Sequence, residues 1–149
     1  MSNGLDVIII DDEPGVCQVT TDIVKRFYTW GEVIGYCDID QALTNCLAHD
    51  VDIAIFIVDV FLDKMSGFMF LEKLEHKFPS IYEDTIMITG HANDDVVNMC
   101  IASEVNHLLE KPVKSYALQL AVRAVAQKYV KFAKRLMQDP ALADNIINI

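Results

Sequence analysis

"DIAIFIVDVFLDKMSG", residues 52–67, decides the fold. Every residue from Ile53 to Val58 is apolar, and the run ends on the carboxylate of Asp59 before breaking into a polar turn. A short continuous apolar run rich in β-branched side chains reads as a strand covered on both faces. Strands of that kind belong to parallel sheets with helices on either side, and in such sheets ligands bind at the carboxyl ends of the strands. Asp59 is therefore expected at the one edge of the sheet where chemistry takes place.

The same alternation extends in both directions. "LDVIII" (5–10), "GEVIGY" (31–36), "TIMIT" (85–89) and "VNHLLE" (105–110) read as four further strands. Between them lie helical periods. One starts at Pro14, with Val16, Val19, Thr20, Ile23, Val24 and Phe27 recurring every three or four residues. Others run over 40–49, opened by an Asp cap, and over 66–78, with Phe68, Phe70, Leu71 and Leu74 inward. A fourth covers 94–102, with Asn93 as cap and Val96, Val97 and Cys100 inward, and a long fifth covers 115–137. Five strands alternating with five helices predict a doubly wound α/β fold, a parallel sheet covered on both sides, because right-handed crossovers place helices on both faces.

Composition narrows the function. The chain has 149 residues, 52% hydrophobic and 23% charged, which suits one domain with an ordinary core. A net charge of −10 argues against direct nucleic-acid binding. Residues 111–138 nevertheless hold 7 basic and no acidic side chains, whereas 1–110 hold 20 acidic and 5 basic. That stretch reads as a solvated helix face. No apolar run approaches the roughly 20 residues of a membrane span, and "DVIIID" is too short for a signal peptide, so a cytoplasmic location and no membrane association are expected. Cys17, Cys37, Cys46 and Cys100 lack metal or redox spacing and are expected as buried thiols.

Parallel strands bring their ends together. Asp11 and Asp12 follow the first strand, Asp59 ends the third, Thr89 the fourth, and Lys111 follows the fifth. At ~4 Å and an effective dielectric of about 20, each like-charge pair among the carboxylates costs roughly 4 kcal/mol before screening. Lys111 supplies a single compensating charge. Magnesium, which takes carboxylates, waters and a phosphate oxygen, would resolve the excess, and a carboxylate beside it can attack a phosphoryl group.

"IIIDDEPG", "IVDVFLDKMSG", "MITGHA" and "LLEKPV" occur in the order and register of a known family: over about residues 3–126 the sequence resembles the receiver domain of two-component response regulators (CheY-like). The separations of 47 (Asp12 to Asp59), 30 (to Thr89) and 22 (to Lys111) agree with it. The resemblance implies a flavodoxin-like five-stranded sheet in the order 2-1-3-4-5, and a signalling switch rather than an enzyme acting on external substrate. Asp59 would be the phosphoacceptor and a metal ligand. Asp12 would ligate magnesium directly, Asp11 largely through water, and Phe61 through its backbone carbonyl. Thr89 would move toward the phosphoryl group and Lys111 pair with it. Lys111-Pro112 would be cis. The donor would be a sensor histidine kinase or a phosphotransfer protein, and the fourth helix, fifth strand and fifth helix would respond. A degenerate receiver serving only as an interaction or dimerisation module is the alternative, disfavoured because the acidic cluster, threonine and lysine are intact. A haloacid-dehalogenase-type phosphohydrolase would want an aspartate where Phe61 stands. A flavodoxin-like nucleotide carrier would want a neutral phosphate loop where "DDEPG" stands.

Departures from the family pattern are specific to this chain. Leu108 replaces the usual aromatic three residues before the lysine, and His107 beside it is expected to point outward. Asp63 replaces the usual proline after the third strand. Phe61, with His91, is expected to screen a phosphoryl group from water. In the last helix, Leu118, Val122, Val125, Tyr129, Phe132 and Leu136 follow the 4-3 spacing of a coiled-coil seam. Residues 127–149 are expected as a helical extension and tail. There two chains pair as a homodimer, or the helix leads into an output domain, or it folds back with "PALADNIINI".

Overall fold

The computed structural model describes residues 4–138 and Ala141. Five parallel strands, β1 (Val7–Ile10), β2 (Val33–Tyr36), β3 (Ile55–Asp59), β4 (Thr85–Thr89) and β5 (His107–Glu110), form one sheet in the order β2-β1-β3-β4-β5. Five helices alternate with them: α1 (Pro14–Phe27), α2 (Ile39–Leu47), α3 (Gly67–Leu74), α4 (Asp94–Ser103) and α5 (Ser115–Gln138). The expected fold class and strand order are therefore correct. Several strands start two or three residues later than their apolar runs suggest, because Leu5 and Ala54 are buried without being paired in the ladder.

The period-2 alternation of the strands sorts the core into two layers. Val7, Ile9, Ile55, Ile57, Ile86 and Ile88 face α1 and α5, where Cys17, Val24, Leu118 and Val122 meet them. Ile8, Ile10, Phe56, Val58 and Met87 face α2, α3 and α4, against Cys46, Phe70, Leu71 and Val96. β3 is buried at all five positions, consistent with its central place.

Four local expectations need correction. α2 is capped by Asp38, whose side chain accepts from the Gln41 amide at 3.1 Å, so the helix begins before Asp40. α1 turns Cys17, Thr20, Thr21 and Val24 inward, leaving Val19 59% exposed. Thr21 can be buried because it donates its hydroxyl to the Cys17 carbonyl at 2.7 Å, and Gly35 on β2 lets it approach: a Cβ there would lie 2.3 Å from the hydroxyl. Val97 on α4 is likewise exposed while Val96 and Cys100 are buried. Of the four thiols, Cys37 is exposed and the other three are buried.

His107 is half-buried rather than outward, paired with Ile86 and, by alternation, on the face where Leu109 packs toward α5. Burial lowers its pKa from the ordinary 6.5. The folded state thus releases a proton that the unfolded state retains, so this residue's contribution is complete above the unfolded value and declines as pH falls below about 6.5. Melting temperature is expected to drop between about pH 7.5 and 5.5, above the carboxylate range, and to drop less in His107→Leu. Equal slopes in the two proteins would refute this.

α5 does more than cover the sheet. Leu118, Ala121, Val122 and Val125 are buried, and one turn later the Lys128 ammonium and the Tyr129 hydroxyl both bond the carboxylate of Asp84, which is 1% exposed at the start of β4. Burial first, and then the bond to Asp84, raises the pKa of Tyr129. Four of the six seam positions are thus committed to the chain's own domain. Phe132 and Leu136 alone remain for a second copy, well short of the roughly three heptads a coiled coil needs. "PALADNIINI" lies outside the described residues apart from Ala141.

Candidate functional site

The strand register places the polar tips side by side. Ile10 is level with Val58, Asp59 with Ile88, and Thr89 with Glu110. Asp11 and Asp12, one and two residues past β1, therefore meet Asp59 at the end of β3. Carboxylate oxygens of Asp11, Asp12 and Asp59 all lie within 4.8 Å of one another, Asp11 and Asp59 buried and Asp12 partly exposed. From the end of β5, Lys111 brings its Nζ to 2.6 Å from Asp59 Oδ2 and 3.3 Å from Asp11 Oδ2.

The backbone fixes these groups. Asp59 Oδ1 accepts from the Phe61 amide at 3.0 Å, and Asp11 Oδ1 from the Glu13 amide at 3.0 Å. The loop after β3 closes tightly, with the Gly67 amide donating to the Val60 carbonyl at 2.7 Å. A Cβ at Gly67 would lie 2.3 Å from the Asp59 carbonyl, so only glycine lets α3 begin this close to the strand tip. Lys111-Pro112 is cis, and the Lys111 amide donates to the Thr89 carbonyl at 2.7 Å.

Electrostatics follow from burial and from unequal charge. Burial raises the pKa of Asp11, against the opposing pull of the Glu13 amide and Lys111. Burial alone would lower Lys111, but its hydrogen bond to Asp59 and the charges of Asp11 and Asp59 hold it above the ordinary lysine value. At 4.8 Å an effective dielectric of 20 gives about 3.5 kcal/mol for each carboxylate pair before screening. One ammonium faces three carboxylates. The donor set is hard oxygen throughout, the ligand type that suits magnesium.

The surroundings of Thr89 and Phe61 are set by the loops that follow their strands. The Thr89 hydroxyl is turned toward its own loop: it accepts from the His91 amide and donates to the His91 carbonyl, each at 3.2 Å. Phe61 is 59% exposed and lines a groove with Phe68, Asn93, Val96 and Met99, on the α4 side of the site.

The family model of the response regulator receiver domain matches residues 7–123. The chain belongs to that family. A curated relative, the heme response regulator HssR of Staphylococcus saprophyticus, is 28% identical to this receiver over 122 residues, which are 82% of this chain and 51% of the relative. The chain thus spans about half the length of the curated relative it matches. Among solved structures, a receiver domain protein from Clostridium thermocellum has a TM-score of 0.74 at 21% identity, covering 86% of this chain and 98% of that one. A CheY-like receiver domain protein from Methanospirillum hungatei JF-1 has 0.71 at 19%, covering 87% and 98%. These structural likenesses bear on the fold, and they agree with the five-stranded order of this receiver.

One contact escaped the sequence reading. Glu110, the last residue of β5, accepts the Ala92 amide on its Oε2 at 2.9 Å and so ties β5 to the loop that follows Thr89. The available signal was alternation, which puts Glu110 on the same face of β5 as Leu108.

Proposed function

We propose that this receiver is a magnesium-dependent phosphorylation switch whose acceptor is Asp59. The observation that carries the reading is the clustering of Asp59 with Asp11 and Asp12 under the Lys111 ammonium. A carboxylate oxygen of Asp59 forms a bond to phosphorus while the phosphorus–nitrogen bond of a phosphohistidine breaks, the electron pair and a proton going to the departing imidazole. Lys111, already 2.6 Å from Asp59, transfers its pairing to the incoming phosphoryl oxygens. Thr89 gives up His91 to donate to the same oxygens. Asp11, Asp12, Asp59 and the Phe61 carbonyl would hold magnesium, which when bound supplies positive charge to this acidic pocket. The direct test is incorporation of label from acetyl phosphate with and without EDTA. Labelling that persists in EDTA would remove magnesium from the proposal.

A protein donor is supported by what borders the acceptor. Val16, Val19, Thr20, Ile23, Pro112 and Val113 form an apolar shelf with Glu13 and Lys111 at the same edge, and a small donor would have no use for it. A sensor histidine kinase or phosphotransfer protein would dock there. Val19→Glu is expected to slow transfer from such a protein at least ~10-fold, the cost of about 1.4 kcal/mol of lost apolar contact. Transfer from acetyl phosphate should be unchanged. Parallel losses with both donors would show that the shelf plays no docking part.

Phe61 belongs to the same proposal as a determinant of lifetime. Hydrolysis needs a water in line with the Asp59–phosphorus bond, and a bulky side chain two residues on narrows its approach. Phe61→Asn is expected to shorten the phosphoryl half-life several-fold, measured by loss of label after the donor is removed. An unchanged half-life would exclude the screen.

The unit placed over 3–126 carries this function, with 127–149 as extension, although Lys128 and Tyr129 are fastened back to Asp84. A cytoplasmic location is part of the reading: the cysteines are free thiols, the state a reducing compartment maintains, and no helix among the described residues is long and apolar enough to cross a membrane. A receiver acting only as an interaction module would have no need for all five of Asp11, Asp12, Asp59, Thr89 and Lys111.

A further inference from the structure

We propose that Glu110 is a positioning residue: its carboxylate latches the loop that carries Thr89 and His91 in the resting state, and the latch must open when Asp59 becomes occupied. The inference rests on the phosphoacceptor reading of Asp59 and deepens it.

Three ties hold the segment between β4 and α4. Thr89 bonds the His91 amide and carbonyl through its hydroxyl, Glu110 takes the Ala92 amide at 2.9 Å, and Asn93 caps α4 by accepting from the Val96 amide at 3.0 Å. The first tie is incompatible with Thr89 reaching toward Asp59. Once that hydroxyl leaves, the His91 amide loses its present acceptor and the loop is released to shift, the exposed amide turning to water or to a new partner. The neighbouring amide is the one held by Glu110, and a carboxylate acceptor makes that bond charge-assisted. On this face of β5 the residue below is Leu108, an aliphatic side chain with no polar atom to couple to the loop. Beside the backbone bond from the Lys111 amide to the Thr89 carbonyl, the side-chain link between β5 and the Thr89 loop is Glu110. Because Glu110 and Ala92 are both exposed, breaking the bond leaves each group solvated, and the latch biases the equilibrium rather than blocking it.

The test uses the full chain and beryllofluoride with magnesium as a phosphoryl mimic, titrated by NMR in the wild type, Glu110→Ala and Glu110→Gln. Glu110→Ala is expected to bind the mimic about fivefold or more tightly, the lower end of ordinary coupling between sites. Glu110→Gln keeps an acceptor for Ala92 but removes the same negative charge, so it should stay close to the wild type. If Gln and Ala behave alike, charge near the pocket explains the change and the latch is overturned; unchanged or weaker binding in Glu110→Ala overturns it too. Hydrogen exchange of the Ala92 amide without the mimic gives an independent reading, expected to be several-fold faster in Glu110→Ala. Should the wild type bind no beryllofluoride, the acceptor reading fails by itself, and the resting clamp is then decided by Ala92 exchange alone: faster supports it, unchanged refutes it.

Discussion

Asp59→Asn is expected to abolish phosphoryl incorporation, by roughly a thousandfold or more, while leaving the fold in place. The substitution is close to isosteric, and the asparagine oxygen can still accept the Phe61 amide that now bonds Asp59 Oδ1 at 3.0 Å. What disappears is the nucleophile, since a neutral amide does not form an acyl phosphate. The ion pair to Lys111 disappears as well. Both like-charge repulsions that involve Asp59 go with it, so the net effect on stability should be small beside the effect on chemistry. The measurement is label from acetyl phosphate or from a phosphohistidine protein, with circular dichroism to show that the variant is folded. Label of wild-type intensity on the asparagine variant would place the acceptor elsewhere and end the proposed function.

The second large effect is on stability. Asp84→Ala is expected to cost about 2 kcal/mol, because the lost acceptor is buried and leaves the Tyr129 hydroxyl unpaired while the exposed Lys128 ammonium turns to water, and to lower the melting temperature by roughly 5 °C. Asp84 is 1% exposed and receives both the Lys128 ammonium and the Tyr129 hydroxyl. Its removal leaves the half-buried Tyr129 hydroxyl without an acceptor. Asp84→Asn keeps one acceptor and should lose less. Tyr129→Phe combined with Asp84→Ala should cost clearly less than the two single changes added, because they share one network. By contrast Lys64→Ala, which breaks a pair with Asp40 between two exposed side chains, should have no measurable effect. Additivity of Asp84→Ala and Tyr129→Phe would mean that the network is not a unit.

What the sequence reveals and what it conceals divide on physical lines. The runs around Val58 and Ile88 have unmistakable strand composition, and a carboxylate at the end of a buried strand has few structural explanations. Parallel pairing then forces Asp11, Asp12, Asp59 and Lys111 together with no information about loops. Thr89 was placed correctly at its strand tip, but the direction of its hydroxyl depends on the loop that follows, where the local bonds to His91 prevail. The inward face of α1 is hidden from a reading that follows apolarity, because Thr20 and Thr21 are buried while Val19 is exposed. A threonine that satisfies its hydroxyl within its own helix packs as well as valine, and a glycine on the facing strand decides where it can do so. Asp84 was invisible for the opposite reason. A single aspartate before a strand is ordinary until a helix more than forty residues later delivers two donors to it.

That anchor also sets a heading. β4 begins next to Asp84 and ends on Thr89, so the strand that bears the Thr89 hydroxyl is bolted at its far end to the middle of α5. Past that anchor α5 runs on to Gln138, so its last turns set out from the edge of the sheet where β4 begins, the edge opposite the acidic pocket.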